Sequence, residues 1–145
     1  MASGYLFNST PIRLAIRNAV LAIPTLPIHV AFENQSFAPP EDDAIWMRET
    51  LLVSFDRRVA VGLVLAGGEY RVDLFGPRYG GTERLEDLSR RIVSQITPGL
   101  KLFEVGRESL EVQSTSRKPL RPDGIWGHLP VSIVWQAMAE LSAGA

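Results

Sequence analysis

The sequence predicts an α+β domain, a mostly antiparallel twisted sheet of about five to six strands with two helices packed on one face. Three observations predict it. Two stretches repeat apolar residues at three- and four-residue spacing, as helices with one dry face do. Most of the remaining apolar positions alternate with polar ones, as in half-buried strands. The order of these pieces is helix, strand, acidic loop, long hairpin, helix and three strands.

A chain of 145 residues fits a single domain covering 1–145, with 1–9 and 140–145 expected to be flexible. Apolar residues make up 46% and charged residues 21%, a globular balance. The formal net charge of -1 gives no overall pull toward nucleic acid or an anionic membrane. Cysteine is absent, which excludes disulfides, thiolate metal sites and thiol nucleophiles. The opening MASGYLFNSTP lacks the basic and apolar regions of a signal peptide, so the chain is expected in the cytoplasm where it is made.

In the first helix, Thr10 is the expected N-cap and Pro11 the first helical residue. Ile12, Ile16, Ala19, Val20 and Ile23 form its dry face, Arg13, Arg17 and Asn18 fall on the wet one, and Pro24 ends it. Ile28 to Phe32 reads as a buried strand. The loop Glu33 to Asp43 carries Glu33, Glu41, Asp42 and Asp43, the prolines Pro39 and Pro40, and one large apolar side chain, Phe37. Two readings stand: Phe37 pins the loop while the acids are solvated, or the loop meets a partner.

From Ile45 to Phe55 the chain alternates, with Met47, Leu51 and Val53 on one face and Trp46, Arg48 and Thr50 on the other. Glu49 breaks the apolar face. Trp46 and Arg48 lie side by side, suited either to an interface anchor or to plain packing. A second strand runs through Tyr70, Val72 and Leu74, so the two form a hairpin. Its connection, Val59 to Ala66, is almost wholly apolar, whereas hairpin loops in water are usually polar. Either the arms extend beyond the body and pair with each other, or Val59, Val61 and Leu63 lie against another subunit.

Thr82 is the expected N-cap of a second helix, with Leu85, Leu88, Ile92 and Ile96 on its dry face and Pro98-Gly99 as its stop. The preceding GPRYGGT offers glycines ahead of a helix but lacks the ending of a P-loop and the spacing of a dinucleotide fingerprint. Three further strands are expected around Leu102–Val105, Leu110–Thr115 and Leu129–Trp135. Between the last two, Arg117, Lys118 and Arg121 are opposed only by Asp123, and Trp126 sits at the tip of this basic loop. The carboxy-terminal SAGA is expected to fray.

No catalytic constellation appears. His29 lies inside an apolar strand and reads as a hydrogen-bonded core residue, and His128 opens a strand beside Gly127. Two isolated histidines without thiols do not form a metal site, and the contiguous Glu41, Asp42 and Asp43 cannot face each other across a cleft. Neither enzymatic activity nor a cofactor is expected.

An apolar strand followed by Asn34, Phe37, Pro39 or Pro40, then Trp46-x-Arg48, resembles the opening of the tail terminator, or tail completion, proteins of long-tailed bacteriophages. The later run Gly68, Val72, Asp73, Leu74, Phe75, Pro77 and Gly80 before a helix is similar to that family's second half. The resemblance implies an assembly role: a homo-hexameric ring at the neck end of the virion tail that stops tube growth and offers a surface to the head–tail connector. The partners implied are further copies of the chain, the tail tube protein and the connector, without nucleic-acid sequence recognition or membrane contact; assembly takes place in the host cytoplasm. The patches expected to serve these contacts are Phe37 with Glu41, Asp42 and Asp43; Trp46 with Arg48; Val59, Val61 and Leu63; and Arg117, Lys118, Arg121 and Trp126. In one arrangement, the acidic loop faces the basic loop of a neighbour. The alternatives are a head–tail connector or minor tube component, and a small phosphate-ligand-binding enzyme using Gly76 to Thr82.

Overall fold

The computed structural model describes residues 7–24, 29–33, 35–39, 44–77, 82–124 and 126–141. In chain order the elements are α1 (Thr10–Leu21), β1 (His29–Ala31), β2 (Trp46–Ala60), β3 (Leu63–Pro77), α2 (Thr82–Gln95), β4 (Lys101–Val105), β5 (Glu108–Arg117), β6 (Arg121–Asp123) and β7 (Trp126–Glu140). The α+β class holds. The sheet differs from the expected one: it has seven strands in the order β1-β2-β3-β7-β5-β4, with β6 also on β7, and it is mixed and strongly curled. Mixing comes from β1, which pairs in parallel with the start of β2 (His29 opposite Trp46, Ala31 opposite Arg48). As a three-residue edge strand with Val30 and Ala31 half-buried, β1 is less enclosed than its apolar sequence suggests.

Helix α1 begins one residue before the expected position. Ser9 occupies the N-cap without a side-chain bond, and the Asn8 side-chain carbonyl accepts from the Thr10 N–H at 3.1 Å. Ile12, Ile16 and Val20 are buried along it. On α2, Leu85, Leu88 and Ile92 are buried, and Gly99, at φ 88°, takes the left-handed turn after the helix that a side chain would resist. Both helices pack on the sheet face that carries Met47, Leu51, Tyr70, Leu74, Leu129, Val131 and Ile133, and these residues share one core with them.

The β2–β3 hairpin resolves the apolar connection. The arms pair to the end, Ala60 opposite Leu63, across a two-residue turn of Val61 and Gly62, with Gly62 at φ 67°. Residues 63–66 are therefore strand, and Leu63, Val64 and Ala66 are buried. Extra residues in β2 shift the register between Val53 and Phe55 and again between Arg58 and Ala60. At the first shift the strands come too close for side chains. A Cβ on Gly68 would lie 2.0 Å from the Leu52 carbonyl oxygen, and one on Gly67 would lie 2.5 Å from the Phe55 ring. β7 is the central strand, paired along its length with β3 and on its other side with β5 and β6.

The expected basic loop is shorter than anticipated, because Arg121 to Asp123 form β6 against the start of β7. Several expectations lie outside the described residues: the acids Glu41 to Asp43, the glycine-rich Arg78 to Gly81, most of the flexible amino terminus, the fraying tail and the side chain of His29. No helix among the described residues is long and apolar enough to cross a membrane.

Candidate interaction surface

Register dictates which side chains meet on the face turned away from the helices. Trp46 pairs with Phe75, Phe75 with His128, and His128 with Arg121, giving one rung across β2, β3, β7 and β6. The rings in this rung stack. Trp46 and Phe75 lie 4.1 Å apart at 11°, and Phe75 and His128 lie 4.6 Å apart at 8°. Phe37, from the loop before β2, tilts onto Trp46 at 5.2 Å, and Trp126 meets Trp46 edge-on at 5.8 Å. The three aromatic residues expected to act as separate anchors are thus one cluster. Trp46, suited by sequence either to an interface anchor or to plain packing, is only 7% exposed, and its indole N–H has no hydrogen-bond acceptor among the described residues.

The next rung sets Arg48 opposite Asp73. Asp73 is only 2% exposed, and its carboxylate is held by His128 Nε2 at 2.7 Å and by Arg48 Nη2 at 3.3 Å. The Arg48 guanidinium lies 5.1 Å from the Phe75 ring centre, so the cation rests on this aromatic neighbour rather than on the adjacent indole. Arg121 Nε reaches His128 Nδ1 at 3.4 Å. Arg117, at the end of β5, is directed to α2 instead, where it bonds Ser89 Oγ at 3.1 Å. Lys118 is exposed and fixed through its backbone, whose N–H donates to the Pro130 carbonyl at 3.0 Å.

At the far end of the hairpin the surface is apolar. Val61 at the turn is 94% exposed and Val59 is half uncovered, while Leu63, expected beside them, is buried. Arg107 links this tip to the rest of the sheet, donating to the Val61 carbonyl at 3.2 Å and to Glu140 at 3.2 Å. Val105, two residues before Arg107 at the end of β4, is also 72% exposed.

Beneath α1 lies an ionic cluster that periodicity could not reveal. Glu49, the residue that broke the apolar face of β2, is 3% exposed. Arg17 grips it with Nε at 2.6 Å and Nη2 at 2.7 Å, and the Tyr70 hydroxyl donates to it at 2.9 Å. Burial alone would raise the Glu49 pKa, but the bonds from Arg17 and Tyr70 and the Arg17 charge outweigh it and hold the carboxyl below its ordinary range. Burial and the neighbouring Glu49 charge push the Tyr70 hydroxyl well up. Arg17 rises above its usual value through its bond to Glu49, and it also lies 4.5 Å from the Phe32 ring centre. Arg13 bridges Glu49 and Glu33, and Glu33 in turn accepts the Leu51 N–H at 3.0 Å. Arg13 and Arg17, placed on a wet face by spacing, are therefore half-buried partners of this cluster.

No group of metal-ligating side chains occurs among the described residues. No protein-family model matches the chain, and no curated protein matches it. A solved structure of uninformative name is similar, with a TM-score of 0.64 and 19% identity over 90% of this chain and 95% of that one. At that identity the likeness speaks for a shared fold.

Proposed function

We propose that this chain is an assembly protein of long-tailed bacteriophages, capping the completed tail tube as a ring of six and presenting a surface for head–tail joining. One observation carries the reading. The residues of the tail-terminator resemblance come from two separate stretches, yet Phe37, Trp46, Arg48, Asp73 and Phe75 pack into a single cluster on the open sheet face. Gly68, from the same pattern, stands where β2 and β3 come too close for a side chain.

A ring of identical subunits needs two different patches that meet, one from each neighbour. The open face with its aromatic cluster and the exposed valines Val59 and Val61 at the tip are two such patches at opposite ends of the hairpin. The test is electron microscopy of particles assembled without this chain. Headless tails of uncontrolled length are the expected result, and normal virions would overturn the reading.

A further inference from the structure

We propose that Asp123 is a site of spontaneous backbone modification, rearranging through a cyclic imide to isoaspartate and thereby releasing β6 from the corner of the open face. The reaction needs no partner. The Gly124 backbone nitrogen bonds to the side-chain carboxyl carbon of Asp123 and gives up its proton, while a carboxyl oxygen leaves as water. Water then opens the ring at either carbonyl, restoring aspartate or leaving isoaspartate. The water lost in closure returns in opening, and nothing is oxidised or reduced.

Local structure decides which aspartates follow this route. Asp123 precedes glycine, whose missing Cβ leaves the attacking nitrogen uncrowded, and Gly124 sits in the turn after β6 at φ 64°. Apart from its chain neighbours, nothing lies within 4 Å of where a Cβ on Gly124 would be, so the ring has open space in which to close. The carboxyl group is loosely held as well. Its side chain is 57% exposed, and His128 Nδ1, at 3.9 Å, is too distant for a hydrogen bond.

The other described aspartates are each restrained. Asp73 is only 2% exposed, is bonded to His128 and Arg48, and precedes Leu74. Asp87 lies inside α2, where the amide of the following Leu88 belongs to the helical ladder, and its carboxylate accepts from Arg91 at 3.0 Å. Asp56 lies within β2 opposite Ala66 and precedes the bulky Arg57.

The position gives the change a consequence. β6 is three residues long, pairs only with β7 among the described strands, and holds Arg121 Nε 3.4 Å from His128 Nδ1. Isoaspartate carries an extra methylene in the main chain, placed at the last pair of this strand, Asp123 opposite Trp126. So short a strand has no other pairs to hold its register, and Arg121 leaves His128. The inference holds whether or not the chain forms a ring.

The test ages purified full-length protein at body temperature in mildly acidic and in neutral buffer, and measures isoaspartate at each aspartate by proteolysis and mass spectrometry. Accumulation at Asp123 is expected to be at least several-fold faster than at Asp56, Asp73 or Asp87. Gly124→Asn, which keeps a residue tolerant of positive φ, should slow it several-fold. Asp123→Glu, which would need a larger ring, should abolish it, and Asp123→Asn, which reaches the same ring by losing ammonia, should age faster. In the aged protein, amide hydrogen exchange should speed up at Arg121 and Asp123 while the β3–β7 pairing stays protected. Isoaspartate absent from Asp123, or equally abundant at the other three positions, would overturn the proposal without recourse to any variant. Unchanged exchange at β6 in the aged protein would overturn the release of that strand.

Discussion

Glu49 and Asp73 sit on adjoining arms of one hairpin, only 3% and 2% exposed, but on opposite faces, and the chain holds them by different means. Glu49 is enclosed by the fold itself: α1 lies over it, and Arg17 and Tyr70 saturate its oxygens. Asp73 has no helix above it among the described residues. Its cover is a layer of side chains, with His128 and Arg48 as partners and Phe75 alongside, and Arg48 is itself about half exposed. A charge locked beneath a helix serves the fold, whereas one lidded by side chains on an open face lies within reach of whatever settles there.

The contrast can be broken or sharpened by measurement. The largest effect is expected for Glu49→Ala, which strands the half-buried Arg17 and the Tyr70 hydroxyl; chemical denaturation should show a loss of about 3–5 kcal/mol. Asp73→Ala should cost less, about 1–3 kcal/mol, because Arg48 can turn to water and the main loss is the bond to buried His128. An equal or larger loss at Asp73 would undo the distinction between the two sites.

Acid gives a third comparison. Because the folded-state pKa of Glu49 is depressed, its stabilising contribution is present above the unfolded value of about 4.3 and disappears as pH falls through the lower folded value. Denaturation followed from neutral pH to below pH ~3 should lose stability in that window, and the drop should be shallower in Glu49→Gln. Arg48→Ala is expected to cost about 0.5 kcal/mol, as a half-exposed ion pair does, while weakening any contact made by the open face. Smallest in stability terms is Val61→Asp: at 94% exposure it should leave the melting temperature nearly unchanged, yet it should prevent capping if the hairpin tip meets a neighbour.

Much of the framework was legible. The dry faces of both helices were readable from spacing, and so was the pairing of the two long strands, since residues such as Ile12, Ile16, Leu85 and Ile92 occur at a period that only a helix buries together. What escaped depends on distant parts of the chain. Glu49 looked like a flaw in an apolar face because its partners, Arg17 and Tyr70, lie 32 and 21 residues away. For Trp46 alternation left anchor and packing undecided, because it assigns one wetter face, whereas this end of β2 is covered on both sides, by the core at Met47 and by Phe37, Phe75 and Trp126 at Trp46. The hairpin turn hid inside an apolar run, with Gly62 as its single local signal, and neither the bulges nor the parallel β1 leave a mark in periodicity.

The place of β7 has a kinetic consequence. It follows every other strand in sequence yet is the one on which β3, β5 and β6 all pair, so during synthesis the earlier hairpin and the β4–β5 pair must wait, unjoined, until residues 126–140 leave the ribosome. Most of the sheet's pairing then forms late and between remote segments, the circumstance in which folding is slow and waiting strands are prone to aggregate. Expression yield should accordingly respond more to temperature and chaperone supply than the stability of the finished domain would suggest.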